Sequence, residues 1–173
     1  MKAQFTESDS VIDLVPQILH LKKILVPIDF SDPSKKAFQY ALRLAEQFDS
    51  EIVLLHVMEL RPPIAAIHLG YDARRSSKDQ LSIAKKKLTA LLARARDAGV
   101  GTVSSTIRSG VATHEIAEAA RDLDADLIVI ATHGYTGFKH FYMGSTTERV
   151  IRHAPCPVLV VRDKQRDFVG ASG

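Results

Sequence analysis

The residues with the strongest chemical potential sit in two short stretches. Asp29 directly follows the apolar run Lys23–Ile28. Far along the chain, DLIVI runs into ATHGYTGFKHFYMGSTTERV, a loop holding Gly134, Gly137 and Gly144 and leading into Ser145-Thr146-Thr147. Glycines let a backbone approach a ligand closely. A helix opening near Ser145 would present unpaired N–H groups and the positive end of its dipole, which suits phosphate. The hydroxyls of Ser145, Thr146 and Thr147 add donors. Asp29, an acceptor when ionised, suits sugar hydroxyls or a phosphate-bound metal instead. The same glycines and Ser145 would equally serve a tight turn and a helix cap, and the loop alone leaves both readings open.

The pattern around these stretches is alternating. Lys23–Ile28 reads as a buried strand that should end or bulge at Pro27. Ser31 or Asp32 can cap the next helix, with Pro33 in its first turn and Ala37, Ala41, Leu44, Ala45 and Phe48 on one face. EIVLLHV, 51–57, is a second buried strand. Residues 58–74 form a long connection with Pro62, Pro63 and Gly70. A long helix follows with Leu81, Ala84, Leu88, Leu91, Leu92 and Ala95 on one face, ended by Gly99 and Gly101. Thr102–Ile107 is a more polar strand, expected at an edge. Thr113 is expected to cap a helix running to about Leu123. Asp126–Ile130, Ser145–His153 and Pro157–Val161 supply a strand, a helix and a last strand.

Strictly alternating strands and helices imply an α/β fold, one parallel sheet with helices on both faces and right-handed crossovers. In the order 3-2-1-4-5, the ligand crevice lies beyond the carboxyl ends of strands one and four. Asp29 and the glycine loop both fall there. Neither GxxxxGK[ST] nor GxGxxG after the first strand is present, so a P-loop and a dinucleotide fingerprint are excluded.

Composition narrows the classes further. The chain has 173 residues, 46% hydrophobic and 25% charged, which suits one soluble domain. The net charge of +3 is too slight and dispersed to read as a nucleic-acid surface, and Lys85-Lys86-Lys87 reads as the wet face of a helix. A single cysteine, Cys156, rules out an intrachain disulfide and reads as a core thiol. No run reaches the roughly 18 apolar residues of a membrane helix, and no signal or transit pattern is apparent, so the expected location is cytoplasmic. His56 reads as a satisfied core residue, and His133 as a residue that orients the loop or touches a ligand. His114, Glu115, His140 and His153 lack metal-ligand spacing.

Four stretches carry a resemblance to a known family: KKILVPIDFSDPSKKA at 22–37, SEIVLLHV at 50–57, ADLIVIATHGYTG at 125–137 and MGSTTERVIRHAPCPVLVVR at 143–162. In residue type, order and spacing the chain resembles the universal stress protein family over about residues 22–162. The resemblance implies a domain at 21–163, flanked by an extension at 1–20 and a tail at 164–173. It implies a five-stranded parallel sheet of order 3-2-1-4-5, Rossmann-like and adenine nucleotide alpha hydrolase-like. The ATP-binding members carry G-x2-G-x9-G-[ST], which falls here on Ala131, Gly134, Gly144 and Ser145. The chain departs from the family at Ala131, where the first glycine stands, at Tyr135, where many members have a basic residue, and at Ala112, where proline is frequent.

The resemblance further implies ATP, with Mg2+ carried on its phosphates, as the ligand. Asp29 would meet the ribose or adenine side. Ile52 and Ile130 would line the base pocket, with Pro27 and Ile28 beside them, Ala131 would stand where backbone and ribose meet, and His133 would orient the loop or touch the ligand. Gly134, Gly144, Ser145, Thr146 and Thr147 would cradle phosphates. A homodimer through the last strand, Val158-Leu159-Val160-Val161, would cover an apolar edge. The implied role is a regulatory or stress-response nucleotide-binding module. A slow ATP hydrolase or phosphoryl-transfer enzyme is one alternative, though no catalytic base or arginine finger is evident. A nucleotide-free interaction protein of the same fold is another.

Overall fold

The computed structural model describes residues 19–59, 73–132 and 144–162, with the side chains of 73–77 excluded. Within them, five strands and four helices alternate: β1 (Lys23–Pro27), α1 (Asp32–Phe48), β2 (Glu51–Met58), α2 (Ala73–Asp97), β3 (Val103–Ser109), α3 (Ala112–Asp122), β4 (Leu127–Ala131), α4 (Ser145–His153) and β5 (Val158–Val161). All pairings are parallel, in the order β3-β2-β1-β4-β5. The expected sheet order is therefore the observed one.

Strand side chains alternate between two cores. Ile24, Val26, Ile52 and Leu54 pack on one face against Ala37 and Ala41 of α1 and Leu88, Leu91 and Ala95 of α2. Leu25, Val53, Leu55, Ile128 and Ile130 face the other way, toward Ile116 and Ala120 of α3 and Val150 of α4. The central strands lie between these layers, which is why β1 and β4 read as unbroken apolar runs rather than alternating ones. Each fully buried Ile or Leu contributes about 1.5–3 kcal/mol relative to exposure.

The termini of the elements follow the local chemistry. β1 ends at Pro27, as expected of a residue without an N–H. Ser31 is the N-cap of α1: its hydroxyl accepts from the Ser34 N–H at 3.3 Å, and Pro33 occupies the first turn. α1 stops at Asp49, whose left-handed φ of 53° lets its N–H reach the Ala45 carbonyl. The expected cap at Thr113 is corrected. α3 starts two residues earlier than a Thr113 cap would place it, at Ala112, with Val111 in the N-cap position and no side-chain cap of its own. A carboxylate from another element takes that place: Glu59, just past β2, accepts from the Ala112 N–H at 3.4 Å. Most of the 58–74 connection lies outside the described residues.

Candidate functional site

At the carboxyl ends of β1 and β4 lies a cavity of about 350 Å3. Its position is the crevice where strand order reverses in an open parallel sheet. Pro27, Ile28 and Asp29 form one side of it, Ile130, Ala131 and Thr132 another. Leu55, Val57 and Ile116 supply apolar wall, with Glu59, Ser34 and Ala112 near them, and Gly144, Ser145, Thr146 and Thr147 close the remaining side. A mostly apolar hollow with a few convergent polar groups is the ordinary form of a small-molecule site.

The chain is drawn around this cavity by specific hydrogen bonds. The Thr132 N–H extends the ladder to the Val161 carbonyl at 3.0 Å, and the Thr132 carbonyl accepts from the Gly144 N–H at 2.8 Å. The two ends of the glycine-containing loop are thereby joined. The Thr147 hydroxyl donates to the Ala131 carbonyl at 2.8 Å, tying the first turn of α4 to the end of β4. Thr147 is buried, Thr146 half-buried and Ser145 exposed. The Thr147 hydroxyl proton is therefore spent on the fold, while its amide stays with those of Ser145 and Thr146 ahead of the first α4 hydrogen bond, Glu148 N–H to the Gly144 carbonyl at 3.0 Å.

Gly144 is the N-cap of α4, with φ −70° and ψ 145° and no side-chain cap bond. Those dihedrals are open to any L-residue, so the backbone does not require glycine here. With no side chain at Gly144, the cap residue itself places nothing between the first turn of α4 and the cavity that Gly144, Ser145, Thr146 and Thr147 line. α1 has Ser31 as its cap and α3 borrows Glu59. Gly144 itself supplies no such bond to α4.

Asp29 is fixed by its own loop. Its Oδ1 accepts from the Ser31 N–H at 3.0 Å and also from the Ser31 hydroxyl. This Asx-type turn orients the carboxylate at the cavity edge.

Of the residues expected at the site, Pro27, Ile28, Asp29, Ile130, Ala131, Gly144, Ser145, Thr146 and Thr147 all line the cavity. Ile52 does not, and that expectation is corrected. It is fully buried near the amino end of β2, paired with Ile24 and Val103. Leu55 and Val57, nearer the carboxyl end of the same strand, take the wall position. The crevice rule itself carried the signal, since only the carboxyl ends of strands reach the crevice. His133 and Gly134 lie outside the described residues. Glu59, Thr132 and Ile116 line the cavity without having been singled out from the sequence.

His56 behaves as a satisfied residue, its Nδ1 2.8 Å from the Ile28 carbonyl oxygen. Cys156 is half-buried against the second core. Burial, with the Asp126 charge adding to it, pushes its thiol up, and a backbone hydrogen bond at Ile128 opposes them. No group of three or more metal-ligating side chains occurs among the described residues, and none of their helices is long and apolar enough to cross a membrane.

A model of the universal stress protein family matches residues 20–162. The chain belongs to this family. It is 36% identical over 148 residues to a universal stress protein of Methanocaldococcus jannaschii, covering 84% of this chain and 85% of that one. A solved universal stress protein from Lactobacillus plantarum superposes with a TM-score of 0.75 at 26% identity, covering 84% of this chain and all of the other. Two other solved members share the fold and carry nucleotides. One is in complex with cAMP (TM-score 0.57, 23% identity, 84% of this chain and 100% of that one). The other, from Archaeoglobus fulgidus, is in complex with dAMP (TM-score 0.60, 19% identity, 83% and 99%).

Proposed function

We propose that this universal stress protein binds an adenine nucleotide, ATP with Mg2+, in the crevice between β1 and β4, as a regulatory ligand rather than a turnover substrate. The observation that carries the reading is the start of α4, where Gly144 makes no side-chain cap bond, beside a cavity with an apolar wall at Leu55, Val57, Ile116 and Ile130 and a fixed carboxylate at its edge. In this reading the base takes the apolar side at Leu55, Val57, Ile116 and Ile130. Asp29 accepts from the ribose hydroxyls. The phosphates meet the amides of Ser145, Thr146 and Thr147 and the hydroxyls of Ser145 and Thr146. Mg2+ rides on the phosphates with Asp29 near it. The nucleotide complexes of two relatives are consistent with the same ligand class. The protein acts as a homodimer joined through β5.

The test begins with denaturing freshly purified protein and identifying any released nucleotide. ATP-Mg2+ is then titrated into the stripped protein by calorimetry. The expected result is micromolar affinity, about −8 kcal/mol, reduced at least about tenfold in Gly144→Val because a side chain there blocks close approach to the first-turn amides. Valine is at ease in the extended dihedrals of Gly144, and a thermal melt checks that the variant keeps its fold. Absence of both released and titrated nucleotide would overturn the reading and favour the interaction-protein alternative.

A further inference from the structure

Asp29 owes its orientation to a residue that never reaches the cavity. Phe30 has φ 67°, a left-handed conformation that is costly for a bulky side chain. The turn it makes brings the Ser31 N–H and hydroxyl back onto the Asp29 carboxylate. It also sends the Phe30 ring away from the cavity, to pack against the core under α1 and α2. There the ring meets two partners. His56 of β2 lies against it with ring centroids 4.6 Å apart, tilted by 40°. The Lys87 ammonium of α2 stands 5.0 Å from the ring centroid. The same His56 ring bonds the Ile28 carbonyl, so both flanks of Asp29 are anchored to one imidazole.

A strained residue persists only where its surroundings over-determine it, and such strain collects at functional sites. Glycine would make the same turn without strain. The aromatic ring therefore needs a reason, and its contacts with His56 and Lys87 provide one. We propose that Phe30 is a positioning residue: held by its contacts with His56 and Lys87, it locks the β1–α1 turn so that the Asp29 carboxylate is pre-aimed at the sugar hydroxyls of the nucleotide. This rests on the nucleotide reading above. Pre-aiming matters because a carboxylate held in place loses little freedom when it accepts a hydroxyl, whereas a wandering one must be ordered by the ligand. It also links the site to α2, since Lys87 of that helix meets the same ring.

The test reads sugar selectivity, a property that general loss of fold would not change selectively. ATP, 2′-deoxy-ATP and 3′-deoxy-ATP are titrated by calorimetry into the full chain, its Phe30→Gly and Phe30→Tyr variants and Asp29→Asn, each with a thermal melt. In the unaltered protein, ATP should be preferred over the poorer deoxy analogue by about tenfold, as for one hydrogen bond to a charged acceptor. Phe30→Gly should remain folded, bind ATP more weakly and lose most of that preference, as Asp29→Asn does. Phe30→Tyr, which keeps the ring, should retain it. If Phe30→Gly keeps the full preference, or if the unaltered protein binds ATP with no sugar preference, the positioning role is overturned while nucleotide binding stands. If the unaltered protein binds none of the three, both readings fall.

Discussion

At the scale of single residues, three neighbouring hydroxyls differ in burial and in what they bond. Thr147 is buried and its Oγ1 donates to the Ala131 carbonyl, whereas Ser145 is exposed at the same helix start. Thr147→Val keeps the shape and removes the donor, so it should cost about 1–3 kcal/mol in urea unfolding, the penalty of leaving a buried carbonyl short of a partner. Ser145→Ala should leave the urea midpoint unchanged within error and weaken ATP binding instead. The opposite assignment, with stability lost at Ser145 and retained at Thr147, would mean that the first turn of α4 is held by something other than the Ala131 contact. Residue types alone do not make this division, because Ser and Thr serve as caps, turn bonds and ligand donors alike. Burial decides it.

At the scale of elements, the helix starts sort themselves by what satisfies their first amides. Ser31 serves α1, with the Ser34 hydroxyl returning a bond to the Ser31 carbonyl at 2.9 Å. Ser31→Ala should lower stability by about 1 kcal/mol, a fall in Tm of roughly 3 °C for a chain of this size, read by differential scanning calorimetry. It should also weaken ATP binding, since the same hydroxyl donates to Asp29. These elements were largely legible in the sequence. The β1 and β4 runs, Pro27 as a strand end and Ser31 before Pro33 are local signals, and local chemistry sets them. The start of α3 was not legible, because its acceptor, Glu59, comes from just past β2, 53 residues away. Ile52 was misassigned for a related reason. A strand pattern gives which residues are buried but not which end of the strand meets the crevice until the register and the direction of the sheet are known. The left-handed turn at Phe30 carries no sequence signal at all, since phenylalanine is not among the residues that ordinarily adopt it.

For the whole molecule, the two sheet edges are unlike. β3 carries Ser104, Ser105, Thr106 and Arg108, the last paired with Asp122 at 2.7 Å, and such a polar edge discourages pairing. β5 is Val-Leu-Val-Val, hydrogen-bonded to β4 alone among the described strands. The Pro157 and Val161 carbonyls accept from β4. By the alternation of a strand, the backbone groups of Val158 and Val160 therefore point to the open side. A second copy can use those groups, whereas solvent gains nothing from an apolar edge. The proposed homodimer should sediment at twice the 19.0 kDa chain mass. Val160→Pro removes an outward N–H, and proline is tolerated on an edge strand in that orientation. The variant should keep its circular dichroism spectrum, sediment as a monomer and still bind ATP, because the crevice between β1 and β4 does not include β5. A variant that stays dimeric would move the interface off β5. One that becomes monomeric and also loses ATP would mean that the nucleotide site and the dimer are coupled, with the Thr132–Val161 hydrogen bond, which joins the edge strand to the loop, as the physical route between them.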